Sequence, residues 1–216
     1  MLICTTVSLT RQQSEKGRIM KYITIEREYG SGGTKIAEMA SSKSGIPCYG
    51  QEILDAASLK LNMPADEIRS CEEKASGSVM YSLYMLSQVQ KASGTILSAD
   101  GQVFVEEQNS IRSFAKKGSA IFLGHCSAEA LKDFDDVIKV YIYCDQDTKA
   151  KRIKLDYGIA DDKISVMERK NNKRRANYYE MNTRQKWDNL RGYDVVLDSG
   201  RLGIETCANI IAAMAK

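Results

Sequence analysis

Three glycines within four residues, Gly30, Gly32 and Gly33, constrain this chain more than any other feature because of what flanks them. Before them, Tyr22-Ile23-Thr24-Ile25 is a β-branched and aromatic run that reads as a strand. After them, Ile36, Ala37, Met39 and Ala40 recur at helical spacing over Thr34 to Ser44, and Gly45 supplies a C-terminal stop. A strand that turns through glycines into a helix leaves the first N–H groups of that helix without intrahelical partners, and missing side chains let an anion come close to them. The helix N-terminus adds partial positive charge. The backbone of Gly30, Ser31, Gly32, Gly33 and Thr34 is therefore a candidate phosphate cradle rather than a plain flexible turn.

The rest of the chain repeats the alternation. Ile46-Pro47-Cys48-Tyr49 resembles a second short strand, Ala120–Leu123 and Val137–Tyr143 are apolar strands, Tyr193–Leu197 is the last, and a helix follows from about Gly203 to Met214. Five strands separated by helical segments predict an α/β fold, a parallel sheet covered on both faces, in one domain over residues 20–216. The stretches 51–117 and 145–192 are too long for simple crossovers. They are expected to form subdomains, an insert and a lid, over the carboxyl ends of the strands, where open α/β sheets bind ligands. Residues 1–19 lack the basic start of a signal peptide and are expected to be a disordered extension or the product of an upstream start site.

Charge narrows the partners. The 31 basic and 28 acidic residues leave +3, too even for a nucleic-acid binder, so an anion must be met locally. Residues 149–191 hold thirteen basic and six acidic side chains, a local +7 that leaves about −4 for the remainder. Lys173, Arg174 and Arg175, with Arg152 ahead of them, are the candidate phosphate contacts. The six cysteines have no CxxC or zinc spacing and read as buried thiols of a reducing cytoplasm, and the single histidine, His125, excludes multi-histidine metal sites. If His125 and Cys126 continue a strand, they point to opposite faces and cannot pair. No run of about 18 apolar residues predicts a membrane span. Tyr178, Tyr179, Trp187 and Tyr193 read as core of the lid, and the Met80-Tyr84-Ser87 stripe as helical core or the face of a homodimer.

The loop departs from the Walker A pattern, G-x-x-x-x-G-K-[ST]. Counting back five places from Gly32 reaches Arg27, the lysine position holds Gly33, Thr34 stands where the magnesium-ligand hydroxyl belongs, and Lys35 comes one residue late. Replacing Gly32 with valine is expected to abolish nucleotide binding while leaving the protein folded.

The stretch ITIEREYGSGGTKIAEMASSKSGIPCYGQEIL resembles the opening of the cytidylate kinase-like family of P-loop proteins, IRSFAKKGSAIFLGHCSAEAL is similar to its third-strand segment, and NKRRANYYEMNTRQKWDNLRGYDVVLDSGRLG to its lid and final strand. The likeness runs from about residue 21 to 214. It implies a three-layer P-loop fold with strand order 2-3-1-4-5, and a kinase that passes the γ-phosphoryl of ATP, with Mg2+, to a nucleoside monophosphate such as CMP or dCMP, or to another small phosphate acceptor. It implies Lys35, Arg152, Arg174 and Arg175 in catalysis, Gly30 to Thr34 and Lys173 on nucleotide phosphates, Arg27, Tyr49, Glu52 and His125 at the acceptor, and Thr34 on the metal. Three departures bear on activity. The Walker lysine is missing, the family's aspartate after the second strand is Gly50, and the arginine of its GR motif is His125, a conditional cation. The alternative is a catalytically weak or inactive nucleotide sensor with the same fold.

Overall fold

The computed structural model describes residues 20–64, 67–68 and 99–216. The amino-terminal extension and most of the helical insert, including the Met80 stripe expected as a dimer face, lie outside the described residues.

The strands are β1 (Tyr22–Arg27), β2 (Cys48–Tyr49), β3 (Ala120–Leu123), β4 (Val137–Tyr143) and β5 (Val195–Asp198), all parallel in the order β2-β3-β1-β4-β5. Strand β1 is two residues longer than its apolar run, because Glu26 and Arg27 stay in register with Tyr141 and Ile142 of β4. The helices are α1 (Gly33–Ser44), α2 (Gln51–Leu61), α3 (Ala99–Ala115), the short α4 (Ser127–Ala130), α5 (Gln146–Tyr157), the 23-residue α6 (Asp161–Thr183) and α7 (Ser199–Met214). The last helix starts before Gly203. The Asp198 side chain accepts from the Gly200 and Arg201 amides and so caps a first turn, and Gly203 (φ 78°, ψ 162°) then interrupts it.

Alternation along the strands builds two cores. Ile23 and Ile25 of β1, with Ile121, Val140 and Ile142, pack on Ile36, Ala37 and Ala40 of α1 and on Cys207, Ala208 and Ile211 of α7. Tyr22 and Phe122 face the other way, onto Ile53 of α2, Ile111 of α3 and Leu131. The central strand is buried on both faces, as a parallel sheet between two helical layers requires. A third cluster joins Phe104, Cys126, Tyr141, Tyr179 and Trp187, so the lid aromatics do form core, at the end of the sheet where β1 opens into the glycine loop. No described helix is long and apolar enough to cross a membrane.

Candidate functional site

The glycine loop closes at the carboxyl end of β1. Gly30 (φ 80°) and Gly32 (φ 77°) take the left-handed conformation that side chains resist, and Gly32 caps α1 with no side-chain hydrogen bond and no acidic residue in the first turn. The first amides of α1 thus meet neither a capping oxygen nor a competing carboxylate. A Cβ on Gly32 would come within 2.4 Å of Ile204 Cδ1. Gly32→Val therefore strains the backbone and forces the Ile204 side chain of α7 to shift, so the variant carries a stability cost beside any loss of binding.

Behind the loop the charged groups are held by hydrogen bonds and ion pairs. Buried Ser31 donates through Oγ to the Glu28 carbonyl (2.8 Å), and its own carbonyl accepts from Ser199 Oγ (2.6 Å) and Arg152 Nη1 (2.8 Å). Arg152 Nη2 continues to the Ser199 carbonyl at 3.0 Å. Lys149 joins Glu28 (2.7 Å) to Glu168 of α6 (3.3 Å). Burial works against its charge, but the two carboxylates more than offset this and raise its pKa above the ordinary 10.5. The Tyr29 amide donates to Asn172 Oδ1 at 2.7 Å, so α6 also grips the loop.

Two cavities open in front. One, about 350 Å³, lies against Gly30, Gly32, Gly33 and Lys35. The other, about 510 Å³, lies among the ends of β1 and β3, the start of α2 and the middle of α6. Arg27, Thr34, Tyr157 and Arg175 line both. Arg174 joins the larger, so three guanidiniums crowd the junction. Arg175 Nη1 donates to the Arg27 carbonyl (2.8 Å) and its guanidinium lies 5.8 Å from the Tyr29 ring centre. Burial, and then the charges of Arg27 and Arg174, pull its pKa below the ordinary guanidinium value, with Glu26 acting the other way. At neutral pH the charge stays, and the consequence is local repulsion that an anion relieves.

Two carboxylates stand where sequence reasoning did not look. Buried Glu26 lines the larger cavity and accepts from Trp187 Nε1 at 3.1 Å. Glu107, fully buried on α3, accepts from the Tyr178 hydroxyl and lies 3.6 Å from His125 Nδ1. A signal for the first existed in the sequence, since Glu26 is the one charged residue within the run Tyr22 to Glu26. Glu107 gave none, standing among polar neighbours on a helix. His125 and Cys126 both adopt left-handed backbone (φ 55° and 51°) just past β3, and both line the cavity, so the strand geometry expected for them does not apply.

The other candidates are spread out. Lys35 is exposed and ion-paired with Asp156 at 2.6 Å. Lys173 is exposed and lines neither cavity. Tyr49 stacks on Phe114 (4.2 Å, 7°), Glu52 Oε2 accepts from the Gly50 amide at 3.0 Å, and neither residue lines either of these two cavities. Arg152 faces the back of the loop.

A three-layer parallel sheet in this order, with a glycine loop running from β1 into α1 and a basic helix across its mouth, defines a kinase-like P-loop protein. Residues 22–201 match the cytidylate kinase-like family, and the chain belongs to it. Among solved structures it is similar to an uncharacterized protein from Eubacterium ventriosum ATCC 27560, at 26% identity and a TM-score of 0.66 over 90% of this chain and 98% of that one. The fold is shared with TT1252 from Thermus thermophilus (13% identity, TM-score 0.53, 92% and 98% covered). It is shared too with shikimate kinase from Bacteroides thetaiotaomicron (12%, 0.51, 91% and 98%). No curated protein matches significantly.

Proposed function

We propose that the protein is a phosphotransferase that moves the γ-phosphoryl of ATP to a nucleoside monophosphate of the CMP or dCMP kind, or to another small acceptor bearing phosphate. The observation that carries this is the pair of cavities meeting at Arg27, Thr34 and Arg175, one against the glycine loop and one ringed by arginines. Phosphoryl transfer asks a protein to hold two phosphates in line and to neutralise the charge between them, and that junction supplies cations from β1 and α6. The donor phosphates fit the loop, whose left-handed Gly30 and Gly32 turn the backbone into the uncapped start of α1. The family implies magnesium, which takes few protein ligands beside phosphates and water. Thr34, exposed at the start of α1 and lining both cavities, is the side chain that would hold it, and the ion would neutralise phosphate charge there. Arg174 and Arg175 orient the acceptor phosphate, and Tyr178 and Tyr179 wall the space for its nucleoside.

Incubation with ATP and magnesium against CMP, dCMP, UMP and AMP, with ADP release and nucleotide binding both recorded, tests this. Release that depends on one acceptor supports the kinase. Binding without turnover supports the sensor reading, which the three sequence departures favour. Neither binding nor turnover removes the loop as a phosphate site.

A further inference from the structure

We infer that Arg27 has taken over the task of the absent Walker lysine, and that Gly33 is a glycine because Arg27 fills the space its side chain would need. Gly33 is the first residue of α1 and its φ is not positive, so nothing in its backbone calls for glycine, and glycine in a helix is otherwise unfavourable. A Cβ placed there would lie 2.7 Å from Arg27 Cγ and 2.8 Å from Arg27 Cβ, the inflexible stem of that side chain. Further along, Arg27 Nη1 would lie 2.3 Å from a Cβ on Gly124, just past β3. Arg27 therefore runs from the loop toward the acceptor side through a slot between two glycines, and it lines both cavities. Position 27 is the first glycine of the standard motif and position 33 its lysine, so cation and glycine have exchanged places. The exchange explains why a loop lacking the lysine keeps its glycines and its threonine.

The inference rests on the phosphotransferase reading. In the step it serves, an acceptor phosphate oxygen supplies the electron pair for a new bond to the γ-phosphorus, and the bond to the β–γ bridging oxygen breaks with its electrons left on ADP. The acceptor oxygen is already deprotonated, so no proton moves. Arg27 touches the transferring group and balances the charge that builds on its oxygens.

The test is a swap. R27G/G33K restores G-x-x-x-x-G-K-T over positions 27–34. ATP and ADP affinities by calorimetry, turnover and thermal midpoint are measured for the wild type, R27G, G33K and R27G/G33K, with R27Q as the variant that keeps the stem volume if R27G does not fold. R27G or R27Q is expected to lose about 100-fold in turnover and about tenfold in ATP affinity with ADP affinity little changed, G33K to lower the thermal midpoint, and the double variant to recover at least tenfold over the single Arg27 variant. A wild type that binds ATP, with a folded double variant no better than R27G in either readout, overturns the inference. ATP binding without turnover in the wild type removes the kinase reading instead, and recovery of ATP affinity in the swap then still supports Arg27. A wild type that binds no ATP overturns both.

Discussion

The two sides of the glycine loop are built on opposite electrostatic plans. Behind it, Arg152, Lys149, Glu28, Glu168, Ser31 and Ser199 satisfy one another at short range, and cations there serve as struts. In front, Arg27, Arg174 and Arg175 crowd a junction of two cavities with Glu26 as a nearby buried acid. A cation behind the loop stabilises the empty protein. A cation in front sets its charge against the cavities, where the proposed phosphates would bind. Arginine content alone cannot distinguish the two roles, since Arg152 and Lys149 behind the loop and Arg174 and Arg175 in front of it come from the same basic stretch.

The contrast can be broken from either side. Arg152→Ala removes three hydrogen bonds from a charged donor and leaves the Ser31 and Ser199 carbonyls short of partners, so it is expected to cost about 3 kcal/mol in urea unfolding. Arg175→Gln reverses the pattern. Affinity for the acceptor nucleotide by calorimetry should fall about tenfold or more, while stability changes by less than about 1 kcal/mol because relief of crowding offsets the lost bond to Arg27. Glu26→Gln keeps an acceptor for Trp187 but removes the negative charge, so acceptor-nucleotide affinity should rise a few-fold, a sign opposite to that of Arg175→Gln. The smallest effect is in pH. Lys149 is raised in the folded protein, so its contribution is fully present below about pH 10.5 and is lost as pH rises through the raised value; Lys149→Gln should flatten that alkaline limb of the unfolding midpoint.

Periodicity carried the fold a long way, since the buried strands and amphipathic helices are set by local apolar spacing. It stopped short where polar residues extend an element. Glu26 and Arg27 continue β1 because β4 pairs with them, and Ser199 to Leu202 turn helical because Asp198 caps them. The site was legible where chemistry is written in neighbouring residues, as in Gly30 to Thr34 and Arg174-Arg175. It was hidden where chain folding brings distant residues together, as with Glu107 and His125. Arg152 was legible as a cation but not in its direction, which α5 sets by packing behind the loop. Lys35 looked like a displaced Walker lysine, yet the first turn of α1 aims it at Asp156.

The slot that holds Arg27 also bears on how such loops change over generations. A lysine arriving first at position 33 meets the stem of Arg27, and loss of Arg27 first leaves a loop with a cation at neither position. On the inference that Arg27 serves in place of the lysine, either order of exchange passes through an unfavourable intermediate, one through a clash of carbon atoms and the other through loss of charge.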